Sequence, residues 1–299
     1  MGEDMAYSVI DTYDDFRACL NSISGKDVKS IHEAWEAYMS KYPELLKLQL
    51  ESYEGLGVDW RSLAEERVFP KLPDLLPLME EAYHNLEAVI PRAYGRLRAF
   101  WGLDPDVLFV IYVGIGCGAG WATEYAGHYA VLLGLESIAE LGWHDPGSLE
   151  GLVLHELSHI VHMYLRGETP REFEEAEKDP LFLLYSEGFA MRCEHLMLGE
   201  ERWRIASHSS WLELCRKNAP LLAAEYLRRV REGLPVNDFY GSWLSVQGIS
   251  QVGYYLGHEV VRLLERELSL RELATLGLDE IKARVREVLK HIAEGKAKA

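Results

Sequence analysis

The chain has 299 residues, 48% hydrophobic and 26% charged, enough apolar material for a large buried core, which excludes an unfolded acidic chain or a small domain that needs disulfide staples. Its formal charge at pH 7 is −17, so most of the surface would repel a phosphate backbone or an anionic leaflet, and neither nucleic acid nor membrane is an expected partner. Cys19, Cys117, Cys193 and Cys215 form no CxxC pair, the acidic opening MGEDMAYSVIDTYDDF lacks the basic start and apolar run of a signal peptide, and no later stretch reaches the ~18 apolar residues of a membrane span; a cytoplasmic protein is expected.

In residues 28–50 the side chains Ile31, Trp35, Tyr38, Tyr42, Leu45 and Leu46 recur at the three- and four-residue spacing of a half-buried helix. A second periodic stretch begins near Asp74, with Leu75, Leu78, Met79, Ala82, Leu86 and Val89 on one face. Pro91 is expected to interrupt its ladder, leaving a further turn or two for Tyr94, Leu97 and Trp101. Residues 1–105 therefore read as an N-terminal helical region.

The pattern changes at residues 107–113, a nearly unbroken apolar, β-branched run between Pro105 and the glycines of GIGCGAG, which reads as a buried strand. After the loop GIGCGAGWATEYAG, residues 128–135 are a second candidate strand. Asp145 and Pro146 then mark a helix start, since aspartate accepts from free backbone N–H groups and proline lacks the donor that would be orphaned. That helix is expected to reach Arg166 and stop at Gly167. An acidic link over 168–179 leads into an apolar helix over 180–198, closed by Gly199, and residues 203–231, 246–267 and 279–292 carry further helical periodicity. The expected fold is α+β and predominantly helical: a core over 106–200 with a small β-sheet, flanked by helical regions over 1–105 and 201–299 that can pack as one globule. The basic Lys296 and Lys298 read as part of a terminal tail.

HELSH at 155–159 carries the chemistry. Two histidines four apart on a helix project one turn apart from one face, close enough to chelate a single zinc, and Glu156 between them is placed to act on a metal-bound water without taking a ligand position. The same spacing can arise by chance on an exposed helix. Here Leu152, Val153, Leu154, Leu157, Ile160 and Val161 make the helix apolar around most of its circumference, so the imidazoles and the carboxylate are expected inside, where they need a partner. A catalytic zinc takes a third protein ligand and keeps one position open. The HxxGxxH continuation of the metzincins is not met, because its glycine and last histidine fall on His162 and Leu165. Glu187, the one acid in the apolar segment LFLLYSEGFAM, is the better third ligand, since an unpaired buried carboxylate costs several kcal/mol.

LYSEGFAMRCEH resembles the glutamate-ligand helix of the gluzincin peptidases, especially the M1 aminopeptidase type, in which HExxH is followed by a WLNEGFA-like segment. The resemblance spans roughly residues 107–260 and rests on few positions, but those are the chemical ones. It implies a zincin-like catalytic core, one zinc per chain held by His155, His159 and Glu187, and Glu156 as general base. VGYYLG at 252–257 is similar to the VPYEKG-type segment that supplies a catalytic tyrosine in that family, which implies Tyr254 as donor to the oxyanion, with Tyr255 and His258 as alternatives. Two departures stand out. The interval from His159 to Glu187 is longer than in M1 enzymes, which implies an insertion, and no GxMEN motif precedes HELSH, so aminopeptidase specificity does not carry over.

The segment GAGWATEYAGHYAVLLGLE is placed to line a substrate as an edge strand, with Glu124, His128 and Glu136 as lesser candidates for contact. Glu194 is a candidate to orient a histidine ligand, whereas His162 and His195 read as core or rim residues. The expected function is zinc-dependent hydrolysis of a peptide or small amide. A non-catalytic binding or scaffolding protein of the same fold, and a zinc hydrolase of a non-peptide amide or ester, stay open as alternatives.

Overall fold

The structure, a computed structural model, describes residues 6–23, 27–54, 57–206 and 208–296; Lys298 lies outside them. Its organising element is a four-stranded sheet of order β1-β2-β4-β3, made of β1 (Tyr7–Asp11), β2 (Val107–Tyr112), β3 (Gly120–Tyr125) and β4 (His128–Gly134). The unbroken VLFVIY run of β2 is buried at every position, as a central strand covered on both faces must be, and pairs in parallel with β1 and β4. β3 returns antiparallel along β4 as an edge strand, with Gly120 opposite Leu133 and Tyr125 opposite His128. Ala126 and Gly127 make the connecting turn with φ of 52° and 77°, the left-handed pair that a two-residue hairpin requires. β3 is the edge strand expected within GAGWATEYAGHYAVLLGLE, while β1 goes beyond the strands expected from 107–113 and 128–135.

The N-terminal region supplies α1 (Tyr13–Ser22), α2 (Val28–Met39), α3 (Pro43–Glu54), the single turn α4 (Trp60–Leu63) and α5 (Leu72–Trp101). The periodic stretch over 28–50 is two helices rather than one, broken just before Pro43. Pro91 does not interrupt α5, which runs unbroken through both Pro77 and Pro91. Its buried stripe continues across the second proline through Val89, Ile90, Ala93 and Tyr94, so packing on one face outweighs the ~3 kcal/mol of a lost ladder bond.

α6 (Leu135–Glu140) leaves β4 directly and is followed by α7 (Pro146–Arg166). As expected, Asp145 caps α7: its Oδ1 accepts from the N–H of Gly147 at 3.0 Å and of Ser148 at 3.1 Å, and Gly167 ends the helix at φ 67°. The acidic link is in fact a helix, α8 (Pro170–Glu177), started by a reciprocal Thr169 and Glu172 capping box. α9 (Pro180–Leu198), α10 (Trp211–Glu232), α11 (Val252–Leu264), α12 (Leu270–Ala274) and α13 (Leu278–Ala293) complete the chain. The protein is thus α+β and predominantly helical, and among the described residues no helix is long and apolar enough to cross a membrane.

The chain divides into two compact units, 1–157 with the sheet and 158–299 built of helices, and the division falls within α7. In the second unit α9 and α11 cross on two glycines. A Cβ added to Gly188 would stand 2.2 Å from the carbonyl carbon of Gly257, and one added to Gly257 would stand 2.4 Å from the carbonyl oxygen of Leu184. The main chains therefore touch, which no residue with a side chain would permit at either position.

Candidate metal centre

The local sequence of α7 forces polar groups inward. Leu152, Val153, Leu154, Leu157, Ile160 and Val161 are all buried, so no face of this stretch is left to solvent, and His155 (3% exposed), Glu156 (7%) and His159 (7%) are carried inside with them. The two histidines lie one helical turn apart. Glu187 comes from α9, and its Oε2 lies 3.6 Å from Nε2 of His159. One potential ligand atom from each of His155, His159 and Glu187 lies within 4.8 Å of the others. A tetrahedral ion with bonds of about 2.0–2.1 Å separates its ligand atoms by about 3.4 Å, so two imidazole nitrogens and a carboxylate oxygen in this arrangement fit a divalent cation.

The glycine crossing explains how Glu187 is presented, because Gly188 follows it and pins this turn of α9 against α11. The turn is also tied to α8. The Ser186 hydroxyl donates to Oε1 of Glu177 at 2.6 Å. Glu177 is half-buried, and its carboxyl is pushed up to about 7: burial is the main cause, the nearby Glu187 adds to it, and His159 and the Ser186 hydrogen bond oppose it. Glu177 and Glu187 both line a cavity of about 750 Å³ whose walls include Leu183, Val230, Val236 and Tyr240. Glu177 was hidden in the sequence by the reading of 168–179 as a link; the signal for it was Thr169, Pro170 and Glu172, a helix start that puts Phe173 and Glu177 one turn apart.

Tyr254 stands in the first turn of α11, half-buried, its ring edge-on to that of Tyr240 at 5.7 Å. Tyr240 lies over the backbone of Gly253, where an added Cβ would come within 2.5 Å of its ring. The Tyr226 hydroxyl donates to the carbonyl of Pro180 at 2.6 Å, so at the 2.9 Å contact between the two phenols it is Tyr240 that donates to Tyr226. Burial, the bond to Tyr226, and the charges of Glu187 and Tyr254 hold the Tyr240 phenol well above its ordinary pKa. Tyr240 is thus a second tyrosine near Glu187 that the sequence reading did not single out.

The other candidates are placed elsewhere. Tyr255 packs against Trp203 and Trp211, and His258 is fully buried with Nε2 3.2 Å from Nδ1 of His195 and Nδ1 3.3 Å from Oε1 of Glu259. His195 also meets the carbonyl of Arg202 at 3.1 Å, and burial, the first of several causes, lowers its pKa to about 4. Glu194 is paired with the guanidinium of Arg204 inside the second unit. His162 is a core residue, boxed by the rings of Phe173, Phe182, Tyr185 and Phe189, and burial holds it well below its ordinary pKa. Glu124 is exposed on β3, and His128 is exposed beside Asp106. Glu136 is buried and accepts from the N–H groups of Gly114 at 2.7 Å and Gly116 at 3.1 Å, which makes it the anchor of the glycine-rich loop.

Comparison with family models, with curated proteins and with solved structures finds no match to this chain.

Proposed function

We propose that this protein is a zinc-dependent hydrolase of the gluzincin kind, a peptidase with a zincin-like core, acting on a peptide or small amide. The observation that carries the reading is the gathering of His155, His159 and Glu187 ligand atoms within 4.8 Å, with Glu156 on the same helix. When bound, the zinc would lower the pKa of a water toward neutrality and polarise a carbonyl oxygen. Glu156 takes the proton from the attacking water and returns it to the leaving amine. Tyr254 donates to the oxyanion that develops; Tyr240 backs it, its own hydroxyl hydrogen engaged in the hydrogen bond to Tyr226. The cavity beside Glu187 receives the substrate, its aliphatic wall shielding the reacting groups from water. All four cysteines are free thiols, which agrees with a reducing cytoplasm as the place of action.

The test is to purify the protein without chelators, measure its metal, and screen a peptide library with wild type against Glu156→Gln. The expected outcome is about one zinc per chain in both proteins, with hydrolysis reduced by about 100-fold or more in the variant. Absence of metal from the wild type, or equal turnover in the two, rejects the reading.

A further inference from the structure

Gly120 opens β3, opposite Leu133 of β4. Its backbone is extended with no positive φ, so nothing in its conformation calls for glycine. What calls for glycine is a neighbour. A Cβ built on Gly120 would stand 2.4 Å from Oε1, 2.7 Å from Cγ and 2.8 Å from Cδ of Glu156, against the ~3.5 Å of an ordinary contact. The whole outer part of the Glu156 side chain therefore lies flat on the main chain at residue 120.

The loop leading into this strand is held at both ends. At the start of the loop, Glu136 holds the N–H groups of Gly114 and Gly116, and a Cβ on Gly114 would come within 2.7 Å of its Oε1. At the end of the loop, the N–H of Gly134 donates to the carbonyl of Ala119 at 3.0 Å, and a Cβ on Gly134 would come within 2.6 Å of the carbonyl oxygen of Gly118. Both neighbours of the 114–120 segment are in close contact with it. The cheapest response to a side chain at 120 is a rotation of Glu156 about its Cα–Cβ bond, which carries Cγ and the carboxylate away together and leaves the strand, α7 and the three metal-binding side chains where they are.

We infer that Gly120 is a positioning residue, the wall against which the Glu156 carboxylate is set, with Glu136 holding the loop that carries it. The inference rests on the reading of Glu156 as general base. If glycine is needed at 120 only for packing, its replacement will lower stability in proportion to the lost activity. If it positions Glu156, replacement will act on turnover through that one side chain.

The experiment is a double-mutant cycle on the zinc-loaded protein between Gly120→Ala and Glu156→Ala, with zinc content, thermal unfolding, kcat and KM read for each protein. Truncating residue 156 to alanine removes Cγ, Cδ and the carboxylate, all the atoms that a Cβ at residue 120 would meet. With glutamate at 156, Gly120→Ala is expected to lower kcat by about 100-fold or more, with KM and zinc content within about 3-fold of wild type. With Glu156→Ala present, the same substitution at 120 is expected to cost less than about 3-fold of the residual kcat. The two kcat losses multiplying, or Gly120→Ala turning over like wild type, overturns the inference. Should Gly120→Ala alone fail to fold, Gly120→Ala with Glu156→Ala is expected to fold, and its failure to do so also overturns it. A substrate-free reading separates this inference from the one beneath it: the pH midpoint of the visible spectrum of the cobalt(II)-loaded protein. Glu156→Gln and Gly120→Ala are both expected to move it in the same direction. If Glu156→Gln moves neither midpoint nor turnover, the assignment of the base fails; if it moves both and Gly120→Ala moves neither, the inference about Gly120 fails alone.

Discussion

Helix α9 carries two acids two turns apart, and their surroundings differ in kind. Glu194, 1% exposed, is met by the guanidinium of Arg204, a permanent cation supplied by the chain itself. Glu187 is met by the imidazole of His159, has a ligand atom of His155 within 4.8 Å, and shares its cavity with a second acid, Glu177. The lesson is that burial of a carboxylate does not by itself mark a functional site; the charge type of its neighbours does. An arginine completes an acid internally and so serves the fold, whereas titratable imidazoles and a second carboxylate suit a cation drawn from solution.

The contrast is open to a direct test by exchanging readouts. Arg204→Met leaves Glu194 buried without its cation and is expected to cost about 3–5 kcal/mol in denaturant unfolding, with zinc affinity within about 3-fold of wild type. Glu187→Ala should do the reverse, weakening zinc binding by more than about 100-fold in competition with a chromophoric chelator, while the metal-free protein loses at most about 1 kcal/mol. If the arginine variant sheds metal and the glutamate variant merely unfolds, the comparison is the wrong way round.

The smallest expected effect concerns pH. The Glu177 carboxyl is pushed up to about 7 in the folded protein, so folding favours its protonated form over the unfolded chain, where it titrates near 4.5. Its contribution to the metal-free protein is then full below about pH 4.5 and is lost as pH rises toward 7, a decline of about 1–3 kcal/mol. Unfolding in chelator at pH 5 and pH 8 should show that decline in wild type and a flatter dependence in Glu177→Gln. Added zinc should flatten the wild-type dependence too, since a nearby cation favours the ionised acid. An unaltered slope in the variant would assign the pH dependence to other groups.

Much of the candidate site was legible because it lies on a helix whose pattern has one reading. HELSH sits among apolar residues on all sides, so helix, burial and the alignment of His155 with His159 follow together, and the solitary acid of LFLLYSEGFAM stands out for the same reason. The segments that escaped carry little contrast. β1 is a five-residue edge strand with no fully buried position, so it does not alternate clearly enough to announce itself. α8 is acidic on most of its surface and buries only Pro170 and Phe173, which is why it passed for a link and took Glu177 out of view. Pro91 reads as a break because local propensity does not show that the buried stripe of α5 runs across it through Ile90 and Ala93. The phenol pair of Tyr226 and Tyr240 comes from separate elements, and no spacing along the chain encodes such a meeting.

The crossing of α9 and α11 at Gly188 and Gly257 has a consequence for how this protein could vary. Where peptide groups abut, the gap between two rods is the thickness of the chain itself, and exchanges among bulkier residues farther along either rod can change their tilt without widening that gap. The turn bearing Glu187 and the second turn of α11 therefore keep a common gauge through sequence drift around them, and lineages descended from this chain would be free to remodel the cavity walls at Val230 and Val236 while the spacing at the crossing stays constant.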